Sequence, residues 1–323
     1  MSRYVITGAS GHIGNNLVRS LRERYPHAQI VVLTRRPITR ELDGIECEQS
    51  IGDLCDERFL QKNIMPDDCV VHLAGLIDLT NRHTQELYRI NVDATRLICD
   101  VCRQKGVQRF LYVGSVDAIA KPDCADVITE PSCYDPDSVA GAYGKTKAIA
   151  AQYVLEQIQR HPEFSAAIVL PSAVIGPHDY KPSAVGKVLK DVLAQKPQLG
   201  LRGGYNFVDV RDVCDAIISL LHSTLREQYI LCGHNVTVQQ LYFEADHILS
   251  IKKRPIILPL LLAYLAIPFV SALNPITLKA LREPHHYSYQ KAKQDLAYAP
   301  RPFEQTLCDT LAWFQENSEK QIR

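Results

Sequence analysis

The chain has 323 residues, 46% of them apolar, enough to bury a large core as one α/β unit or as two unequal lobes. Lys and Arg together number 36 and Asp and Glu together 36, so no overall positive field draws nucleic acid or an anionic membrane, and a small molecule is the partner such a surface leaves. Met1-Ser2-Arg3 runs straight into "YVITG", three apolar residues where a secretory signal needs about 7–15, and the ten cysteines lack framework spacing, so a reducing cytoplasm is the expected compartment.

The first element, "RYVIT", reads as a strand, and "GASGHIGNN" after it sets Gly8, Gly11 and Gly14 at the mouth of a helical pattern. Glycines there let the backbone turn tightly and approach a pyrophosphate, which the helix N-terminus attracts through its free N–H groups. The second strand, "IVVLT", runs into Arg35 and Arg36, where an acidic residue would grip a ribose 2′-hydroxyl; two guanidiniums there suit a 2′-phosphate, and so NADP(H) in preference to NAD(H), with NAD(H) as the alternative. "IGDL" places Asp53 after a third strand, where a carboxylate can accept from an adenine amino group.

"CVVHLA", "RFLYVG" and "AAIVLP" continue the strand series, separated by helical periodicity. The spacing predicts a long helix over Thr84 to Lys105, with Leu87, Ile90, Ala94, Leu97, Ile98 and Val101 on its apolar face. Cys99 and Cys102 form a lone CxxC within it and have no second pair, so they read as buried thiols and no metal is expected. "GAYGKTKAIAAQYVLEQ" opens another helix and puts Tyr143 one turn before Lys147; on its own that spacing decides little. The alternation predicts a Rossmann-type doubly wound parallel sheet over residues 1–176 and a smaller, mixed substrate lobe over 177–323, with about 206–231 returning to the first domain. His178, Asp179 and Tyr180 follow the "VIGP" turn, either lining the substrate cleft or merely solvated.

"IILPLLLAYLAIPFVSAL", Ile256 to Leu273, is uncharged and near the lower limit for crossing a bilayer. Pro259 and Pro268 divide it, so the expectation is a buried or substrate-facing helix pair and no integral span, the alternative being contact with a membrane surface.

The ordered landmarks "TGASGHIG", "GDL", "VVHLAG", "NVDATR", "FLYVGS", "YGKTK", "LPSAVIGP" and "FVDVRDV", with the closing "YSYQKAKQDLAYAPRPFEQTLCDTLAWF", resemble the extended short-chain dehydrogenase/reductase superfamily, of the NAD-dependent epimerase/dehydratase type, over nearly the whole chain. They look nearest to its dihydroflavonol reductase-like and 3β-hydroxysteroid dehydrogenase-like branch. The resemblance implies catalytic roles for Ser115, Tyr143 as acid/base and Lys147 as its support, with Asn91 distorting a helix beside them. It implies cofactor contacts at Ser10, His12 and Ile13 in the glycine loop, at Leu54 beside Asp53, at Leu73, Ala74 and Gly75 after the fourth strand, and at Pro171, Ala173 and Val174, besides Tyr143 and Lys147 themselves. A homodimer is also implied.

The resulting expectation is an NADP(H)-dependent oxidoreductase interconverting a carbonyl and a secondary alcohol on a small apolar molecule. The alternatives are a nucleotide-sugar epimerase or dehydratase with tightly bound NAD(P), and a non-catalytic nucleotide-binding regulator, which would commonly lack the tyrosine or lysine kept here. A phenol near pKa 10 is a poor base, and an ammonium one turn away, together with the positive charge of an oxidised nicotinamide, is expected to lower it. Gly114 stands where many relatives carry serine or threonine, and Leu170 where many carry arginine, read here as the loss of a polar substrate anchor. Arg202 and Arg211 are few cations for a diphosphate.

Overall fold

The computed structural model describes residues 2–78, 83–121, 127–260, 278, 281 and 286–322. Through the first half, strands and helices alternate: β1 (Arg3–Thr7), α1 (His12–Arg24), β2 (Gln29–Thr34), β3 (Glu48–Ile51), α2 (Glu57–Asn63), β4 (Asp68–His72), α3 (Thr84–Tyr88), α4 (Ala94–Lys105), β5 (Arg109–Val113), α5 (Gly141–Arg160) and β6 (Ala166–Pro171). The second half contains β7 (Ala173–Ile175), α6 (Ala184–Leu193), β8 (Leu199–Leu201), β9 (Gly204–Asp209), α7 (Val210–Leu221), β10 (Gln228–Leu231), β11 (His234–Thr237), α8 (Val238–Ile248), β12 (Ile256–Leu258), α9 (Gln290–Leu296) and α10 (Phe303–Ile322).

Seven parallel strands form the main sheet in the order β10-β6-β5-β4-β1-β2-β3, which reverses direction between β1 and β4. Strand residues alternate between two cores. Val5, Val31, Val70, Phe110, Ile168 and Leu170 face α2, α4 and α5, while Tyr4, Ile6, Val32, Val71, Leu111 and Val169 face α1 and α7. Both faces are therefore covered, and the central strands read as unbroken apolar runs instead of alternating ones. A three-stranded sheet, β11-β9-β7, and a parallel pair, β12-β8, accompany a third core under α6, α8 and α10. The chain enters the smaller sheet at Ala173, and α7 and β10 lie against and within the large one.

The long helix expected over Thr84 to Lys105 is interrupted: Arg89–Asp93 form a π-turn between α3 and α4 with Asn91 buried inside it. Leu87, Ala94, Ile98 and Val101 are buried as the periodicity required. Cys99 and Cys102 lie wholly inside, where burial raises both thiols. Of the apolar stretch from Ile256, the first three residues form a strand rather than a helix, and residues 261–273 lie outside those described. Among the described residues no helix is long and apolar enough to cross a membrane.

A buried imidazole ties the sheet to the π-turn. Thr95 Oγ1 donates to Asn91 O at 2.8 Å, so it must accept from His72 Nε2 at 3.0 Å; His72 Nδ1 then accepts from Thr7 Oγ1 at 2.8 Å. Thr7 Oγ1 in turn accepts from the N–H groups of Leu73 and Ala74. Every hydrogen in this chain is assigned with His72 neutral. Burial first, and the Lys147 charge second, depress its pKa from 6.5 to about 3. The unfolded chain binds that proton near pH 6.5 and the folded chain does not, so this contribution to stability is complete above pH 6.5 and is lost as pH falls towards 3. A His72→Asn variant is expected to lose about 1–3 kcal/mol at neutral pH, from unmade buried hydrogen bonds. Its melting temperature should nevertheless fall less than that of the wild type between about pH 6.5 and 4.5, where the wild-type histidine resists protonation; parallel declines would refute this linkage.

Candidate active site

The glycine loop lies at the point where the sheet order reverses. Gly8 has φ +75°, and a Cβ on it would lie 2.6 Å from the Ala74 nitrogen; a Cβ on Gly14 would lie 2.3 Å from Gly8 O. Both positions therefore require glycine, one for its dihedral and contact, the other for the helix's close approach. Side chains cap the N-termini of α2, α6, α7 and α8, through Asp56, Ser183, Asp209 and Thr237, but none caps α1. The same holds for α3, α4, α5 and α9; at α1 the uncapped N–H groups adjoin the glycine loop, where they suit an anion. On the far side of the loop, His12 Nε2 and Asn16 Nδ2 donate to Pro177 O at 2.9 and 3.1 Å, and Asn15 Nδ2 donates to His178 O at 3.1 Å, which clamps the turn after β7 onto the helix.

A cavity of about 510 Å³ opens from this loop towards the smaller lobe. Gly8, Gly11, His12, Ile13 and Gly14 line one end, with Leu73 and Gly75 from the end of β4 and Pro171, Ala173 and Val174 from β6 and β7. Ser115, Tyr143 and Lys147 line its middle. Lys147 is 5% exposed; its Nζ donates to Val113 O at 3.2 Å and sits 5.3 Å from the Tyr112 ring centre. Burial lowers its pKa to about 8. The Tyr143 phenol is hydrogen-bonded to Ser115, yet burial, followed by the Asp117 charge, raises its pKa. Burial thus opposes ionisation of Tyr143 in the protein alone, while the depression expected from Lys147 together with an oxidised nicotinamide concerns the cofactor-bound site. Asn91 does not line the cavity: its Oδ1 accepts from Leu76 N at 2.7 Å and its Nδ2 donates to Leu76 O and Thr146 Oγ1, both at 3.0 Å, so it fixes the backbone beside Gly75 and the helix carrying Lys147.

The model of the NAD-dependent epimerase/dehydratase family matches residues 4–232. The chain belongs to that family. Over 326 residues it is 26% identical to sterol demethylase protein B of Methylococcus capsulatus, covering 97% of this chain and 98% of that protein. It is 28% identical over 330 residues to the protein named "Putative dihydroflavonol 4-reductase" of Synechocystis sp., covering 97% and 95%. The solved structure of the UDP-glucose 4-epimerase of Thermotoga maritima with UDP-glucose superposes with a TM-score of 0.82 at 20% identity, over 98% of this chain and 99% of that one, a likeness of fold. The protein is thus an extended short-chain dehydrogenase/reductase, an oxidoreductase acting on CH–OH groups.

Other residues singled out in this family member stand apart from the cavity. Ser10 and Ala74 are not in its lining: Ser10 O accepts from Lys181 Nζ and Ala74 N donates to Thr7 Oγ1. Arg35 and Arg36 are exposed at the end of β2, with Arg35 Nη1 3.9 Å from Glu86 Oε1. Asp53 is held low in pKa by the Cys55 N–H and by Arg89, whose guanidinium it pairs with directly; Leu54 packs on the core. His178, Asp179 and Tyr180 do not line the cavity. His178 stacks among Tyr180 and Trp313, burial lowers its pKa to about 4, and Asp179 accepts from Ser183 N at 3.1 Å. Leu170 is wholly buried and occupies the space beside Gly114, where a Cβ would lie 2.9 Å from its Cδ2, so leucine here goes with glycine there; Gly114 itself lines the cavity. Arg211 is spent on Asp209 and Asp309, and Arg202 is exposed outside the cavity lining.

The sequence reading missed Asp117, Lys121, Tyr205, Asn206 and Tyr287, all of which line the cavity. Asp117 was findable, two residues beyond Ser115. Tyr287 was not, since it arrives through a backbone bridge to Ile128 from a distant part of the chain.

Proposed function

We propose that the protein is an NADP(H)-dependent oxidoreductase that interconverts a carbonyl and a secondary alcohol on a largely apolar small molecule. The observation carrying this reading is the meeting of Ser115, Tyr143 and Lys147 in one cavity with the glycine loop. The residues suit a dinucleotide: the uncapped α1 and the side-chain-free approach at Gly8 and Gly14 receive a pyrophosphate, Lys147 offers a buried donor for ribose hydroxyls, and Ser172 Oγ, buried in the cavity wall, has no partner among the described residues. When bound, the dinucleotide supplies or accepts the hydride. Ser115 holds the substrate oxygen. Tyr143 gives that oxygen a proton in reduction and takes one from it in oxidation, and Lys147 supports the phenolate form. Asn91 keeps Lys147 and Gly75 in register. Arg35 and Arg36 supply the charge for a 2′-phosphate, and Asp53 a carboxylate at the adenine end.

Support for an apolar substrate comes from Ile77, Val116, Ile175, Val185, Tyr205 and Phe207 in the lining. Lys121, a cation there, is committed to Asp117. The names of the sterol and flavonol relatives agree with that chemistry. A second reading, a nucleotide-sugar epimerase or dehydratase retaining its NAD(P), is favoured by the family match and by the dTDP-D-glucose 4,6-dehydratases that are also similar to this chain.

Two measurements follow. Tyr143→Phe should fold and bind cofactor but lose roughly 10²–10⁴ in turnover; near wild-type turnover on a true substrate would remove Tyr143 from the mechanism. A panel of steroid and flavonoid ketones, short aldehydes and uridine- or thymidine-linked sugars, run with NADPH and with NADH, should show consumption of NADPH with the apolar ketones. Titration by nicotinamide fluorescence should give tighter NADPH, with Arg35→Ala and Arg36→Ala each losing up to roughly ten- to hundredfold. Epimerised sugar without net loss of NADPH would overturn the reductase, and equal or tighter NADH would overturn the cofactor preference.

A further inference from the structure

Beyond Ser115 the chain forms a short 3₁₀ turn, Val116–Ala118, that turns Asp117 back onto the cavity. The Asp117 N–H donates to Ser115 Oγ at 3.1 Å, and Ser115 Oγ lies 3.4 Å from Asp117 Oδ2. The other carboxylate oxygen accepts from Lys121 Nζ at 2.9 Å, and Lys121 is also hydrogen-bonded to Tyr287. The side chains are 43% and 25% exposed, so neither charge is fully screened by water. A line of contacts therefore runs Tyr287, Lys121, Asp117, Ser115, Tyr143, with an anion and then a cation standing behind the hydroxyl that touches the phenol.

A carboxylate so placed opposes ionisation of the phenol, and an ammonium behind it cancels part of that field. We propose that Asp117 and Lys121 are positioning residues, Asp117 orienting the Ser115 hydroxyl and Lys121 neutralising Asp117, so that the pair together sets how tightly Tyr143 holds its proton. This rests on the acid/base role proposed for Tyr143. The ion pair agrees with the electrostatics: although burial opposes it, Asp117 and Tyr287 lift Lys121 to about 12, so the ammonium persists through the working pH range. Other titratable groups around Tyr143 are Lys147 on its own helix, Tyr112 from β5, Tyr205 and Tyr287 from the second half of the chain, and Asp78 and His12 in the cavity wall. Glu86 on α3 pairs outward with Arg35, and Asp137 with Lys145. None of these changes in the variants below.

The test is a charge cycle read by phenolate absorbance with NADP⁺ bound, each protein being compared with its own Tyr143→Phe counterpart between about pH 6 and 11. Lys121→Met uncovers the carboxylate and should raise the Tyr143 ionisation by about half a unit to one and a half units; Asp117→Asn leaves the cation uncovered and should lower it by a similar amount. The double variant and Lys121→Arg should both lie near the wild type, and Lys121→Gln replaces Lys121→Met if the latter fails to fold. The pH profile of cyclohexanol oxidation should shift in the same two directions. A wild-type ionisation that both single variants leave in place, or move in the same direction, overturns the role of the pair alone. No Tyr143-dependent phenolate in the wild type would overturn the acid/base reading and this proposal together. Absence of cyclohexanol turnover with the spectroscopic shifts intact would count against the proposed substrate class and not against the pair.

Discussion

Burial is the one force that perturbs the Lys147 ammonium, and the rest of the site is arranged around it. A charge 5% exposed, drawn down to about 8, has as its partners the Val113 carbonyl and the face of Tyr112, both neutral. An ammonium held this way is costly to the fold, and such groups persist where the surroundings over-determine their position. Here they do: Asn91 pins the backbone at Leu76 and the hydroxyl at Thr146, Thr95 and His72 pin the π-turn to Thr7, and Thr7 immediately precedes the first glycine. One hydrogen-bonded path thus joins the loop that receives phosphate to the helix that carries the tyrosine and lysine.

The same desolvation acts in the opposite sense on Tyr143, favouring its neutral form. A neutral phenol sharing a cavity with a buried amine is a proton donor at rest, and additional positive charge entering the cavity favours its acceptor form. This gives the neighbouring Asp117–Lys121 pair its leverage, because a site balanced by burial responds to modest changes in nearby charge. Apolar residues close on a centre where burial disfavours the charged forms of both Tyr143 and Lys147.

Much of the large sheet was legible in the sequence because a parallel strand covered on both faces must be apolar throughout, and "CVVHLA", "RFLYVG" and "AAIVLP" are. The glycine loop was legible for a related reason, since a missing Cβ is a one-letter statement about contact distance. The π-turn was not legible from periodicity, which runs through Leu87 to Val101 without marking the extra residue, and only the resemblance pointed to Asn91. The sequence shows the chemistry of Leu170 but not its direction; in the fold it answers Gly114 across two strands. His178 to Tyr180 could be assigned from polarity to either cleft or solvent, and packing against Trp313 and Arg19 gives them neither place. The groups that complete the cavity, Tyr205, Asn206 and Tyr287, lie far along the chain from Ser115, and no local pattern brings them there.

The central claim is that one carbon in this cavity exchanges a hydride while its oxygen exchanges a proton with Tyr143. A single turnover with NADPH deuterated at its transferable position, in ordinary water, tests both halves by mass spectrometry and NMR of the product. The account predicts one deuterium on the carbinol carbon of the reduced ketone, in proportion to the NADPH consumed, with the transfer suppressed in the Tyr143→Phe variant. Deuterium absent from that carbon, or recovered in the nicotinamide after a sugar has changed configuration, would contradict it.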